Sequence, residues 1–306
     1  MSNIKKNIAQ LPTCSAIVSS HQIQANKNFG QNFLFDGNLV HKLARLSGPL
    51  DDALILEIGP GPGALTRALL LENAKKVIAV EIDKRFINLL QPLVDAANGR
   101  FTLYHQDARK LDLTAMITDH LAFFKAQDSS HSDAHKKAVR IAANLPYNIS
   151  LHLLVDWLKR VDQIKSISVL LQDEVAERVS AQPGSSQFGR LSVLAQSSWQ
   201  VKKQLRLGPE HFVPKPKIYS NFVRFDPLEK TLDQHLHPYL AEITKAGFAK
   251  KRKMIRTSLK AVFDSALIPI CQKGNIDIQK RAQDVTVDEY IYLSKALAFK
   301  HSRSIN

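Results

Sequence analysis

Apolar residues follow two rhythms along this chain. Unbroken apolar runs at ALILEI (53–58), KVIAVEI (76–82), FTLYH (101–105), AVRIAA (138–143) and ISVLL (167–171) read as strands. Between them, apolar positions recur at helical spacing, as in the stretch from Ala64 and at Phe86, Leu89, Leu90 and Leu93. Apolar runs without polar alternation belong to strands covered on both faces. Their alternation with helices predicts an α/β fold whose mostly parallel sheet is joined by right-handed crossovers. An earlier helix, carrying Leu39, Val40, Leu43 and Leu46 on one face, is predicted to start at Asp36 and end near Gly48. A further helical stretch covers Leu111–Phe124, and two more strands are expected near 199–207 and 218–226.

Three segments depart from this pattern. Residues 1–26 are polar without sustained periodicity and read as a flexible arm. The polar run KAQDSSHSDAHKK (125–137) reads as a loop or insertion; His131 and His135 within it lack the further ligands that a metal would need. After Pro227 the strand pattern stops and residues 229–306 read as wholly helical, which places a domain boundary near 228.

Composition narrows the function classes. The chain has 306 residues, 44% of them hydrophobic, without an apolar run long enough for a bilayer span and without a signal-peptide core. Two cysteines, Cys14 and Cys271, support neither a disulfide framework nor a zinc site, and a cytoplasmic location is expected. The formal charge of +14 favours a polyanionic partner. Its distribution is more telling. From Lys245 to Lys260 there are seven basic residues and no acidic one, whereas a solvated helix face normally carries both signs. A helix contacting nucleic acid is expected there, with Lys250, Lys251, Arg252, Lys253 and Arg256 on phosphates.

Four features at successive strand ends carry the chemistry. EIGPGPGALT (57–66) puts a glycine loop between a strand and a helix, where Gly59 and Gly61 allow close approach of backbone to ligand. The same loop satisfies the dinucleotide fingerprint, so alone it leaves a nicotinamide enzyme open. Glu81 ends the second strand, placed to accept from both hydroxyls of a ribose. Asp107 follows the third strand in the ligand crevice, able to accept from an adenine amino group. Asn144-Leu145-Pro146-Tyr147 follows the fourth. Adenine's exocyclic amine is a poor nucleophile because its lone pair is delocalised. The Asn144 oxygen and a backbone carbonyl of the turn can accept its two N–H groups and aim the lone pair at a methyl donor. Pro146 fixes the turn, and the Tyr147 ring can stack on an extruded base. Hydride transfer has no use for this turn.

These motifs, with KNFGQNFL (27–34), QDARK (106–110), LLQDEVAERVSAQPG (170–184), FGRLSVLAQ (188–196), HFVPKPKIYSNFVRF (211–225) and KKRKMIRTSLK (250–260), resemble the ribosomal RNA adenine dimethyltransferases of the KsgA type. The resemblance runs from Asn26 to about Arg281. It implies a Rossmann-like S-adenosylmethionine-binding catalytic domain over 27–228 and a smaller all-helical RNA-contacting domain over 229–306. By that resemblance Asn32 and Leu34 close over the cofactor, Gly59 lines its methionine part, Glu81 holds the ribose and Asp107 the adenine. Asn144, Leu145, Pro146 and Tyr147 hold the target base, with Phe212 as a second stacking ring. No metal is implied. The implied partner is 16S ribosomal RNA within the immature small subunit, dimethylated at N6 of two adjacent adenines in the hairpin loop near its 3′ end. A monomer is expected by default. Two rivals remain: a large-subunit methyltransferase of the macrolide-resistance type, and a non-catalytic assembly or transcription factor on the same fold.

Overall fold

The computed structural model describes residues 3–26, 29–51, 54–125 and 139–303. Among these, nine strands form two sheets. They are β1 (Phe33–Leu34), β2 (Leu54–Ile58), β3 (Lys76–Glu81), β4 (Phe101–His105), β5 (Val139–Ala143), β6 (Ile164–Gln172), β7 (Trp199–Leu207), β8 (Phe212–Val213) and β9 (Ser220–Pro227). β1 and β8 pair with each other, and the other seven lie in the order β4-β3-β2-β5-β6-β9-β7. β2 is parallel to β3 and β5, β3 to β4 and β5 to β6, whereas β9 is antiparallel to β6. β2, β3 and β5 are buried along their whole lengths, the burial that an unbroken apolar run requires.

The chain builds β3 and β4 on one side of β2 and then returns to lay β5 on the other. The order therefore reverses between β2 and β5, and the carboxyl ends of the strands there bound the crevice in which open α/β sheets hold ligands. Helices α3 (Gly37–Leu46), α4 (Ala64–Leu71), α5 (Lys84–Ala96), α6 (Leu113–Lys125) and α7 (Tyr147–Leu158) punctuate the strands. The Asp36 carboxylate opens α3 by accepting from the Leu39 amide at 3.1 Å. Asp83 opens α5 in the same way, accepting from the Arg85 amide at 3.1 Å.

The chain divides into two compact units, Met1–Asp173 with Lys202–Asp226, and Glu174–Val201 with Pro227–Asn306. This differs from a single boundary near 228. Residues 174–201 join the C-terminal helices because Ala181, Phe188 and Val193 share a core with Leu240, Ile243, Phe248 and Tyr290. Within the segment read as a flexible arm (1–26), the described residues 3–26 are ordered into elements. They form α1 (Asn3–Gln10) and α2 (Cys14–Ser20) before a short extended stretch. Ile8, 2% exposed, lies in the same core as Leu43, Leu69 and Phe86, and Arg67 donates to the Pro12 carbonyl at 2.6 Å. The insertion at 125–137, with His131 and His135, lies beyond Lys125 outside the described residues.

The second unit contains α8 (Asp173–Ser180) from Glu174 on, α9 (Arg190–Gln196), α10 (His237–Ala249), α11 (Ile255–Ser258), α12 (Lys260–Phe263), α13 (Leu267–Lys273) and α14 (Val287–Arg303). The basic block is a turn between helices, not one helix. α10 stops at Ala249, the Lys253 amide donates to the Lys250 carbonyl at 2.8 Å, and α11 begins only at Ile255.

Candidate active site

The carboxyl ends of β2, β3, β4 and β5 open on one pocket, lined in part by Asn32, Leu34, Gly59, Gly61, Glu81, Asp107, Asn144, Leu145 and Pro146. Its floor is the glycine loop between β2 and α4. Gly59, Gly61 and Gly63 have φ of +67°, +52° and +86°, a region costly for any residue with a Cβ. At Gly63 a Cβ would also lie 2.6 Å from Leu90 Cδ2, inside the packed interface of α5.

Glu57, the first residue of the glycine motif and not singled out by the sequence pattern, lies beneath this loop and also lines the pocket. Its carboxyl is completely buried, and Thr66 Oγ1 donates to Oε2 at 2.6 Å. Burial pushes its pKa from 4.5 to about 8; the Thr66 hydrogen bond opposes this and the nearby Glu81 charge adds to it. Glu57 is therefore mostly protonated at neutral pH.

Glu81 is held differently. The Gly61 amide donates to its Oε2 at 3.0 Å and the Asp83 amide to its Oε1 at 2.8 Å. Burial leaves its pKa above the ordinary carboxylate value, and the Asp83 and Gly61 amides only partly offset that. Each oxygen retains a lone pair for a further donor. Asp107 accepts the Arg109 backbone amide at 3.0 Å and its guanidinium at 2.7 Å, which holds its carboxyl below the usual range.

The segment before β1 is tied down over the pocket. Gln31 Nε2 donates to Asp83 Oδ2 at 2.9 Å, and the Asn26 amide donates to Gln31 Oε1 at 2.9 Å. Arg85 joins its guanidinium to Asp83 at 2.6 Å and to the Gln24 carbonyl at 3.1 Å. Gln31, Asp83 and Arg85 carried no signal as single residues; their role depends on bonds across more than fifty positions.

Asn144 follows β5, and its Nδ2 donates to the Asn32 carbonyl at 3.0 Å. That bond fixes the amide with Oδ1 as its remaining acceptor. Leu145 is 2% exposed, so it presents backbone rather than side chain. Pro146 caps α7, its carbonyl accepting from Ile149 and Ser150 at 3.2 and 3.1 Å.

Two expected residues are not brought into the pocket. Tyr147 is half-buried, and its hydroxyl is bonded to that of Ser220 at 2.6 Å. Phe212 is 0% exposed: it pairs with Leu34 in the β1–β8 ladder and packs in the core, so its ring cannot stack on a substrate from there. This corrects the role expected for Phe212. Among the described residues, the ionised side chains lining the pocket are Glu81, Asp107 and Arg109, the last paired with Asp107, while Glu57 is mostly neutral. Such a lining suits a cationic ligand better than the pyrophosphate of a dinucleotide.

In the second unit Lys250, Lys251, Arg252, Lys253 and Arg256 are all exposed. The turn that bears them is anchored by the Ile255 amide, which donates to the Lys280 carbonyl at 2.8 Å, and by a bridge between Met254 and Arg281. Among the described residues no helix is long and apolar enough to cross a membrane.

A family model described as ribosomal RNA adenine dimethylase matches residues 22–298. The ribosomal RNA small subunit methyltransferase A of Chelativorans sp. is 38% identical over 290 residues, covering 94% of this chain and 98% of its own. That of Rhodospirillum rubrum is 35% identical over 287 residues, covering 94% and 93%. Among solved structures, a dimethyladenosine transferase from Plasmodium falciparum has a TM-score of 0.68 at 22% identity, covering 88% of this chain and 98% of that one. The 23S rRNA methyltransferase ErmE has a TM-score of 0.63 at 19% identity, covering 87% and 100%. These two likenesses are of fold.

Proposed function

The chain belongs to the ribosomal RNA adenine dimethylase family, and on that premise we propose that it dimethylates N6 of two adjacent adenines in the 3′-terminal hairpin loop of 16S ribosomal RNA. It acts as a monomer on the immature small subunit. S-Adenosylmethionine, when bound, supplies a methyl group on a positively charged sulfur. The described lining suits that cofactor: ionised Glu81 and Asp107 outnumber Arg109, and Glu81 keeps lone pairs for two ribose hydroxyls. Gly59 and Gly61 leave the floor free of side chains beside Asn32 and Leu34, and Asp107 stands where it can take an adenine amino group.

One observation carries the reading. Asn144 is clamped through its amino group to Asn32, which leaves its oxygen to accept, in the same pocket as Glu81 and Asp107. Asn144 Oδ1 and a backbone carbonyl of the Leu145–Pro146 turn take the two N–H groups of the adenine amine. They draw the nitrogen toward tetrahedral geometry and aim its lone pair outward. Orientation and fixed dipoles of this kind supply most of the acceleration when the leaving group is already activated. The proton displaced from nitrogen passes to solvent. Tyr147 lies outside the pocket lining, one residue beyond the turn, with its hydroxyl bonded to Ser220; its assigned part is to stack on the extruded base at the pocket's edge. The exposed turn Lys250–Lys253 with Arg256 neutralises RNA phosphates.

Labelled S-adenosylmethionine presented with immature small subunits, and separately with large-subunit RNA, tests the proposal. Label is expected in small-subunit adenines alone. Label confined to large-subunit RNA would overturn the choice of substrate, and none in either would overturn the activity.

A further inference from the structure

The HFVPKPKIYSNFVRF segment contributes more than a strand. Tyr219 is 46% exposed, although Arg206 lies over its ring with the guanidinium carbon 4.1 Å from the centroid. One face of the ring is thus covered, and the exposed area falls on its other face and rim. Arg206 is not a loose surface side chain: its Nη2 donates to Asp173 Oδ2 at 3.0 Å, and Asn221 Nδ2 donates to the same carboxylate. The Asp173 amide in turn donates to the Tyr219 carbonyl at 3.0 Å. Backbone, carboxylate, guanidinium and phenol ring therefore form a braced stack that presents one aromatic face to solvent.

Its position in the sheet gives it a use. Asp173 follows the carboxyl end of β6, and Tyr219 precedes the amino end of antiparallel β9. Both lie on the same edge of the sheet as the exit of β5, where Asn144 stands. β9 is two strands from β5, about 10 Å along that edge at the usual strand spacing. Ser220, next to Tyr219, is the residue bonded to the Tyr147 hydroxyl. The segment leading to it is basic: from Trp199 to Tyr219 the chain carries Lys202, Lys203, Arg206, Lys215 and Lys217 against the single acid Glu210. Lys202, Lys215 and Lys217 are exposed.

We propose that Tyr219, backed by Arg206, is a stacking platform for an unpaired RNA base flanking the target adenine, with the exposed Lys217, two residues before it, on the phosphate. A braced aromatic face in a basic segment suits single-stranded nucleic acid, because every base has a π-face and every linkage a negative charge. The platform rests on the RNA-methylating function proposed above and names the part of the substrate held beside the reacting base.

Kinetics on immature small subunits with the full chain test it. Tyr219→Ala should raise the KM for the subunit roughly ten-fold, the scale of one base–aromatic stack, while its affinity for S-adenosylmethionine stays that of the wild type. Tyr219→Phe should restore KM to within about two-fold, since the ring and not the hydroxyl is used. In Tyr219→Trp, a single-stranded RNA oligonucleotide of mixed sequence should quench the added indole emission, above the signal of the buried Trp157 and Trp199. An unchanged KM in Tyr219→Ala overturns the platform, and so does an indole that RNA leaves unquenched. Failure of the wild-type chain to methylate small-subunit RNA would instead refute the proposed function, and the quenching experiment would still decide the platform.

Discussion

Asn144 has a donor end and an acceptor end, and the fold occupies only the first. The Asn32 carbonyl takes the amino group, so Asn144→Ala removes both the acceptor proposed for the adenine amine and a clamp on the segment above the pocket. We expect turnover to fall by about 10²-fold or more, as when a preorganised polar group is lost, measured by single-turnover methyl transfer at saturating cofactor. A rate within a few-fold of wild type would remove Asn144 from the chemistry. Glu57 makes a prediction of a different kind. In the fold it ionises near pH 8, and its ordinary value is 4.5. Between these values the native chain keeps a proton that the unfolded chain has released. Stability therefore falls as pH rises through that window, by at most about 1.4 kcal/mol per pH unit. Glu57→Gln keeps an oxygen for Thr66 and abolishes the titration. The variant should gain on the wild type from about pH 5 to about pH 8 in paired urea melts, whereas parallel profiles would mean that Glu57 ionises normally.

At the scale of elements, the strands were legible because parallel strands buried on both faces have to be apolar throughout, and β2, β3 and β5 fall within one residue of their apolar runs. The glycine loop was legible for a related reason, since three left-handed residues beside a packed helix exclude nearly every other side chain. Gly63→Ala should lose about 1–3 kcal/mol of stability, because its Cβ would meet Leu90, which is 1% exposed and has little room to yield. A thermal midpoint equal to wild type would show that the loop relaxes freely. Side-chain direction was not legible. Phe212 turns into the core because β8 pairs with β1, nearly 180 positions earlier, and nothing in its local pattern announces that pairing. The basic block shows the same limit: its charge was plain, but the break at Lys250 was not, because no glycine or proline marks it. Replacing Lys250, Lys251, Arg252 and Lys253 with alanine should weaken RNA binding and reduce the salt slope by roughly one for each phosphate no longer neutralised. A titration in which affinity and slope both stay put would show that the turn does not touch RNA.

For the whole molecule, the change from strands to helices near 228 could be read, whereas the return of residues 174–201 to the helical unit could not. α8 and α9 have the composition of any amphipathic helix, and only Phe188 and Val193 packing with Ile243 and Tyr290 reveals their unit. The N-terminal residues misled for the converse reason. α1 is short and polar, and a few apolar side chains such as Ile8 suffice to seat it. The four strand-end features, by contrast, were legible in sequence and meet in one pocket, because parallel strands bring their carboxyl ends to a common edge. The central claim is that this pocket dimethylates adenine in small-subunit RNA through Asn144. Mass spectrometry of small-subunit ribosomal RNA from cells lacking this chain, complemented with wild type or Asn144→Ala, tests it most directly. Two adjacent N6,N6-dimethyladenines should be restored by the wild type and be missing or sparse with the variant. Full dimethylation in the uncomplemented cells, or equal restoration by both, would contradict the claim.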